Sequence, residues 1–555
     1  EDGTGIVHIA PAFGADDYEL SLKYNLPFIQ HVSTNGKFKE EIEDFAGQDV
    51  KPKSTEENKD AHQSADIEII KYLAGKGTLF AKEKIIHSYP HCWRCDTPLL
   101  NYASSSWFVK VTAIKDKLIS ENKKIKWIPP EVGEGRFGNW LIGARDWAIS
   151  RSRFWGAPIP VWRDEKTDEI VVIGGVEELK KYSKPNNKYI ICRHGEAENN
   201  TLGILSSIAD HPHHLTDKGR MQVKTTARTL QNKKIDIIIS SPFIRTRETA
   251  EIIAENIGIA KGDIVIDNRI HEMDSGIWDG KPLKDFLKYY ENIDRFEEKI
   301  EGGESYLDIK KRMGEALYDL EKKYKDKNIL IVTHSTPAFL LYSASVGLNR
   351  EESIIERGNE DHYLDNAKIM ELDFSPIPHN DEYELDLHRP YIDDIELITE
   401  KGNRLRRIPE VFDCWYESGS MPFGEAYYPF DKCNFNPKPG PFTRILGKTK
   451  GYPADFIAEG LDQTRGWFYS MLVLGVALFG KTPFKRVVVN GLVLAEDGQK
   501  MSKSKKNYPE LMLMVNKYSA DALLYYLMSS PVVHAQDFCF SEKGVDEVVK
   551  KHIGR

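Results

Sequence analysis

Cysteine is scarce: six residues at irregular spacing in 555 argue against a disulfide scaffold and suit a reducing, cytoplasmic setting. No long apolar run exists either. The strongest, 467–480, falls short of the roughly 20 residues a membrane helix needs, and Arg465 and Lys481 flank it. It reads as a buried helix, and no membrane partner is expected. Positive charge is not in surplus. The formal net charge is -9, so no global basic field advertises nucleic acid, and an RNA contact needs a local patch such as 401–407, KGNRLRR. Internal repeats, low-complexity tracts and a secretory pattern are all missing, and the first residue is Glu1 instead of Met. The opening EDGTGIVHIAPAFG reads as mid-domain text, so a piece of a longer polypeptide is expected.

With 41% hydrophobic residues, the chain has enough apolar material for several cores, and its length suggests roughly three or four domains. Between Ile6 and Pro27 a short apolar strand, a Pro/Gly turn and an acidic helix start at Ala15 are expected. The polar stretch 51–64 reads as loop or weak helix. Seven of the ten tryptophans fall within 87–162, a density that suits a rigid ligand-facing surface more than a simple core. At 180–188 the text turns polar, KKYSKPNNK, and a new alternation begins: strand YIIC, helix, strand IDIIIS, helix, strand ILIVTH. It stops near 374–380, FSPIPHN, where two prolines read as a second linker. Beyond it the earlier pattern resumes, as for a domain placed in a loop of another.

In the interrupting segment Arg193-His194-Gly195-Glu196 follows a strand directly, where open α/β sheets hold their ligands. Asn200, Leu215-Thr216 with Gly219, SSPFIRTRETA from Ser240, HEMDSGIWDG from His271, Gly302-Gly303-Glu304-Ser305 and IVTHS ending at Ser335 follow in order. Together they resemble the histidine phosphatase superfamily. The resemblance implies His194 as nucleophile, Arg193, Arg245 and His334 as clamps for phosphoryl oxygens, and Glu272 as general acid. These residue types suit the chemistry. A neutral imidazole attacks phosphorus, planar guanidinium forks match phosphate, and a carboxyl group can protonate the leaving oxygen. Specificity is not legible, so the phosphomonoester is unknown. A hydrolase is preferred to a mutase, and a non-catalytic module binding a phosphorylated ligand or a partner is the alternative.

The flanking segments carry HSYPHCWRCDTPL from His87, NWLIGARDWAISRSRFWGAPIPVW from Asn139, DLHRPYIDDI from Asp386, DCWYESGSMPF from Asp413, YPADFIAEGLDQTRGWF from Tyr452 and NGLVLAEDGQKMSKSKKNYP from Asn490. They resemble class I aminoacyl-tRNA synthetases, the isoleucyl branch above all. The resemblance implies isoleucine, tRNA(Ile) and ATP with Mg2+ as substrates. Glu459, Gly460, Asp462, Gln463 and Trp467 are expected around the adenylate, and Lys500 and above all Lys503, on a glycine-flanked loop, on the phosphates. His8 and Asp17 would belong to an editing pocket whose threonine-rich half lies upstream in the family. Taken without the family, Asp17 is a helix N-terminal charge. Cys92-x-x-Cys95 has zinc-knuckle spacing, but structural zinc wants four ligands, so this is a half-site for Zn2+ completed outside the chain.

The expected fold is therefore α/β and multidomain: a synthetase Rossmann-type nucleotide-binding half plus the end of an editing domain, with an inserted α/β/α histidine phosphatase domain. The expected boundaries are 1–84 for the editing part, 85–184 for the knuckle and a core segment, 185–380 for the insertion, 381–535 for the catalytic domain and 536–555 for the start of a helical stem. The family's HIGH motif is missing, and His552-Ile553-Gly554-Arg555 is a decoy at the wrong end. The piece alone is not expected to aminoacylate.

Overall fold

A short unbroken apolar run bounded by polar residues favours a buried strand, and Lys188–Arg193 (β1) holds one, buried from Tyr189 to Cys192. In the computed structural model, which describes residues 7–54, 61–85, 87–92, 95, 97–358, 364–431, 435, 452–502 and 506–554, it lies inside a five-stranded sheet. The partners are Ile237–Ser240 (β2), Val265–Ile266 (β3), Asn328–Thr333 (β4) and Ile369–Leu372 (β5). Their order is β5-β1-β4-β2-β3, with β5 antiparallel and the others parallel. Helices Asp217–Leu230 (α1), Ile244–Ile257 (α2), Tyr306–Lys323 (α3) and Ser335–Val346 (α4) accompany it. Two separate apolar clusters line the sheet's two faces: one takes Tyr189 and Ile191 of β1 with α3 and α4, the other Ile190 and Cys192 with α1 and α2. That is the α/β/α layering expected of alternating strands and helices.

The chain divides into two compact units, Glu1–Trp107 and Phe108–Arg555. In the first, residues 7–10 form no strand. They lead into a turn and the helix Ala15–Tyr24, whose first turn carries Asp16 and Asp17 and which ends at a left-handed Asn25. In the second unit a parallel sheet runs in the order Ile457–Gly460, Arg486–Asn490, Lys126–Ile128. The apolar run 467–480 is the helix Trp467–Phe479, buried at every position from Phe468 to Val476. No helix among the described residues is long and apolar enough to cross a membrane. A further sheet in the order Leu397–Ile398, Arg404–Arg407, Val161–Asp164, Ile170–Val172 draws strands from both sides of the interrupting segment. Buried Asp164 accepts from Asn403 Nδ2 at 2.9 Å across it.

Three expectations need correction. The stretch 374–380 is packed instead of loose, because its apolar and aromatic members turn inward. Phe374 and Ile377 are buried, the His379 ring sits 4.4 Å from Tyr318, and the contacts continue to Tyr383 and to Leu385, whose N–H donates to Gly347 O. The tryptophans of 87–162 are not one surface: Trp127 and Trp162 are core while Trp155 is 72% exposed. The basic run 401–407 is half inward-facing by strand alternation. Arg407 is buried and held by Asp393 and by the carbonyls of Ile159 and Glu410.

Candidate active site

Register places the candidate residues. Thr333 on β4 pairs with Arg193 on β1, so the next residues, His334 and His194, emerge side by side at the carboxyl ends of adjacent strands. The His194 N–H donates to Thr333 O at 3.1 Å and the Ser241 N–H to Val332 O at 3.0 Å, which fixes both crossings. Arg245 sits in the first turn of α2, His334 caps the start of α4, and two helix N-termini thus face the same spot.

His194, Arg245 and His334 are all at most 2% exposed. His194 Nδ1 donates to the Gly195 carbonyl at 2.7 Å, which leaves the Nε2 lone pair pointing into the site. Arg245 Nε donates to that Nε2 at 3.3 Å, and its Nη2 donates to His334 Nδ1 at 3.3 Å. His334 Nε2 pairs with Ser241 Oγ at 2.9 Å. The same arginine is anchored by the Ser206 carbonyl at 3.0 Å and lies over the Phe243 ring. Glu272 Oε2 lies 3.5 Å from His334 Nδ1, and its Oε1 accepts from the Met273 N–H. Arg193 Nη1 donates to Leu364 O at 2.8 Å.

Burial, then the fields of Arg245 and Arg193, push the His194 imidazole well below its ordinary range. Burial does the same to His334, helped by Arg245 and the neighbouring histidines. Both rings are thus neutral at pH 7, the nucleophilic form. Burial lowers Arg245 to about 10, against the pull of Glu272. It stays charged, and a neutral His194 facing two guanidiniums leaves a net positive well shaped for an anion. His194, Glu272 and His334 offer ligand atoms within 4.8 Å of one another. A dication there would meet Arg245, which already donates to both imidazoles, so the donor set suits phosphate better than a metal.

The motif glycines hold the walls. A Cβ on Gly219 would sit 2.0 Å from Glu196 O, so the start of α1 presses against the backbone just after His194. A Cβ on Gly303 would sit 2.5 Å from Asp274 O, and Gly276 and Gly302 have positive φ. Ser206, Ser241 and Thr249, whose Oγ1 accepts from the Gly195 N–H at 3.2 Å, support the site and went unremarked in the sequence. Ser241 and Thr249 both belong to SSPFIRTRETA, but nothing in their residue types marks them as partners of His334 and Gly195.

In the flanking region Glu459 is the penultimate residue of the strand Ile457–Gly460, with an exposed side chain. Gln463 donates to Asp462 at 3.0 Å and accepts from the Trp467 N–H at 3.0 Å, and a Cβ on Gly460 would meet Asp462 at 2.7 Å. These residues are therefore neighbours. Trp467, half-buried, donates from its indole to Ser418 O at 2.9 Å, while Trp415 presses on Gly466 beside it. Lys500 is exposed beyond the Gly498 turn, where Asn507 binds its carbonyl at 3.2 Å; Lys503 lies outside the described residues. His8 is exposed, and Asp17 folds back to accept from the Ala10 N–H at 3.0 Å. Cys92 and Cys95 share one turn, in which the Cys95 thiol is drawn down to about 7 by Thr97 and by Cys92. Among the described residues no third metal-ligating side chain joins them.

Residues 48–210 and 359–539, more than half of the chain, match the family model of tRNA synthetases class I (I, L, M and V). The chain belongs to the class I tRNA synthetases. Residues 189–376 match the histidine phosphatase superfamily (branch 1). This synthetase chain is 33% identical to an isoleucine–tRNA ligase of Bdellovibrio bacteriovorus over 552 residues, 99% of the chain and 31% of that protein. It is 32% identical to the cytoplasmic isoleucine–tRNA ligase of Mus musculus, covering 99% of the chain and 26% of that protein. The chain thus spans about a third or less of the curated relatives' length. Similar solved structures include a mycobacterial glucosyl-3-phosphoglycerate phosphatase, 20% identical over 33% of this chain and 90% of that one, with a TM-score of 0.29. Another is YhfR of Bacillus stearothermophilus, 23% identical over 33% of this chain and 89% of that one, also at 0.29.

Proposed function

We propose that the chain is part of an isoleucine–tRNA ligase, acting in the cytoplasm, that carries a phosphomonoester hydrolase between its catalytic segments, at about 185–380. The observation that carries the hydrolase reading is the neutral His194 Nε2, aimed into a buried well and held by Arg245. In the reaction, His194 Nε2 attacks phosphorus and the P–O ester bond breaks. The leaving oxygen takes a proton from Glu272. Water then attacks the phosphohistidine, Glu272 accepts its proton, the P–N bond breaks and inorganic phosphate leaves. Arg193, Arg245 and His334 stabilise the charge on the equatorial oxygens throughout.

The test is hydrolysis of p-nitrophenyl phosphate by the whole chain in the presence of a chelator, with trapping of phosphate on His194. His194→Ala should lower the rate by about 10³-fold or more. Activity unchanged in that variant, or lost with the chelator, overturns the mechanism. Binding of phosphate without turnover would favour a recognition module.

For the ligase part, Glu459, Gly460, Asp462, Gln463 and Trp467 would receive the adenylate, and Lys500 and Lys503 the ATP phosphates. Their donor set, one backbone-exposing glycine with amide and carboxylate groups, fits a ribose and an ammonium group, and the bound Mg2+ would offset phosphate charge. His8 and Asp17 would face misattached amino acid, and Cys92 with Cys95 would supply half of a zinc site, which their shared turn and lowered thiol suit. With the upstream half restored, Lys503→Ala should slow isoleucine-dependent ATP–pyrophosphate exchange about 100-fold. Exchange at the parent rate would sink that assignment.

A further inference from the structure

Beyond the phosphate well lies a mouth built by loop 203–214. Its course is fixed by pairing with 280–283: Ile204 bridges Pro282, the Leu205 N–H donates to Lys281 O and the Gly280 N–H donates to Leu205 O, both at 3.0 Å. Ser206 binds Arg245. Ser207, the next residue, donates from its N–H and hydroxyl to Asp279 Oδ1 at 2.6 and 2.8 Å, and its hydroxyl also meets Ser275 Oγ at 2.8 Å. His211 Nδ1 lies 3.6 Å from Asp279 Oδ2, and the His213 ring stands edge-on to it at 5.9 Å. His213 is half-buried and close enough to Arg245 for the guanidinium to help hold it neutral, after burial. Two side chains on the flanking segments are apolar and half out in solvent, Ile208 at 50% and Ile277 at 49%.

The charges at this mouth have a sign. Among the described residues, the cations whose fields act on His194, His334 and Arg245 are Arg193 and Arg245 themselves, both committed to the transferring phosphate. The carboxylate fields that reach His213 at the mouth are those of Glu198 and Asp279, and Asp279 also acts on Arg245, whereas Glu272 belongs to the well itself. A substrate bearing a second anionic group beyond its ester would place it beside the Asp279 carboxylate, which Ser207 holds at the mouth, while Lys281 on the paired segment has its Nζ turned over the Trp278 ring at 5.1 Å. A flat, uncharged body would instead meet two imidazoles and two isoleucines.

Building on the hydrolase reading, we infer that the site takes monoesters of uncharged, flat-bodied alcohols, of which nucleoside 5′-monophosphates are the class, and discriminates against esters whose alcohol is itself anionic. Hydrolysis of the P–O5′ bond consumes one water and yields a nucleoside and inorganic phosphate. The ligase reaction proposed above supplies this substrate class. Transfer of an aminoacyl group from its adenylate to an RNA hydroxyl breaks the mixed anhydride and releases a nucleoside 5′-monophosphate. The two sites would then act in sequence within one polypeptide, the second removing a product of the first.

The test compares phosphate release by the whole chain from AMP, 3-phosphoglycerate, glycerol 1-phosphate and p-nitrophenyl phosphate. The expected kcat/KM for AMP exceeds that for 3-phosphoglycerate by about 10-fold or more, and also exceeds that for glycerol 1-phosphate, which lacks the ring. His213→Ala should narrow the ratio between AMP and glycerol 1-phosphate. Equal or faster turnover of 3-phosphoglycerate overturns the charge argument, and equal turnover of glycerol 1-phosphate overturns the flat-body argument. If p-nitrophenyl phosphate and every other ester resist hydrolysis, the hydrolase reading itself falls. Calorimetric binding of AMP against 3-phosphoglycerate then still decides the preference, and tighter 3-phosphoglycerate overturns it.

Discussion

At the scale of single residues, the buried pair His194 and His334 ties stability to pH. Both imidazoles are depressed in the folded chain. Below the unfolded value of about 6.5 the unfolded chain therefore binds protons that the folded chain refuses, and stability falls as pH falls. Each such histidine contributes a slope of about 1.4 kcal/mol per pH unit between its folded and unfolded values, and that contribution is complete above them. We expect thermal unfolding of the insert to drop steeply between about pH 6.5 and 5, and His194→Gln to flatten the drop by one proton's worth. A variant as pH-sensitive as the parent would contradict the burial of a neutral His194. Arg245 offers a second test. Its fork serves His194, His334 and Ser206 at once, so Arg245→Lys, which keeps charge and loses the fork, should lower kcat about 10²-fold or more while near-ultraviolet dichroism stays native.

The element scale reverses an ordinary rule. Glycine to alanine in a helix normally stabilises by up to about 1 kcal/mol. Gly219 lies in the first turn of α1, yet Gly219→Ala should destabilise by about 1–3 kcal/mol, because the new Cβ would stand 2.0 Å from the Glu196 carbonyl. Chemical denaturation of the whole chain checks the sign. A stabilised variant would mean that α1 can slide away from the segment that follows β1. The same scale shows what was legible beforehand. Strands β1, β2 and β4 were readable because burial on both faces demands unbroken apolar runs, and the strand-end position of His194 and His334 followed from that. Residues 374–380 were misjudged because proline marks a bend without telling whether the bend is covered, and Tyr318 supplies the cover from about 60 residues away in sequence. Arg407 misled for a related reason. Its charge suggested solvent, but Asp393 and two carbonyls satisfy it inside.

For the whole molecule, the prediction concerns independence. The insert has its own sheet and two core clusters, distinct from the clusters around Trp467–Phe479 and around Trp162. Calorimetry of the full chain should resolve more than one transition, and inorganic phosphate at about 100 times its dissociation constant should raise only the insert's transition, by about 2.7 kcal/mol of stability. A single transition that shifts as a whole would show the units to be one cooperative body. Conversely, replacing 184–385 by a short glycine-serine bridge should leave the sheet shared by Val161–Asp164 and Arg404–Arg407 folded, as read from Trp162 fluorescence. An unfolded product would show that the insert props up its host.

The Ser183 hydroxyl donates to the Pro376 carbonyl, and Asn186 and Asn187 beside it are tied to Glu321. The chain therefore leaves the synthetase-family framework and returns to it at nearly one point, so the surrounding strands need not shift to admit the extra residues. Such geometry lets a gene acquire or discard a whole domain in one recombination event without rerouting the ancestral fold. Close relatives that differ only by the presence of this cassette are the lineage pattern it leads one to look for.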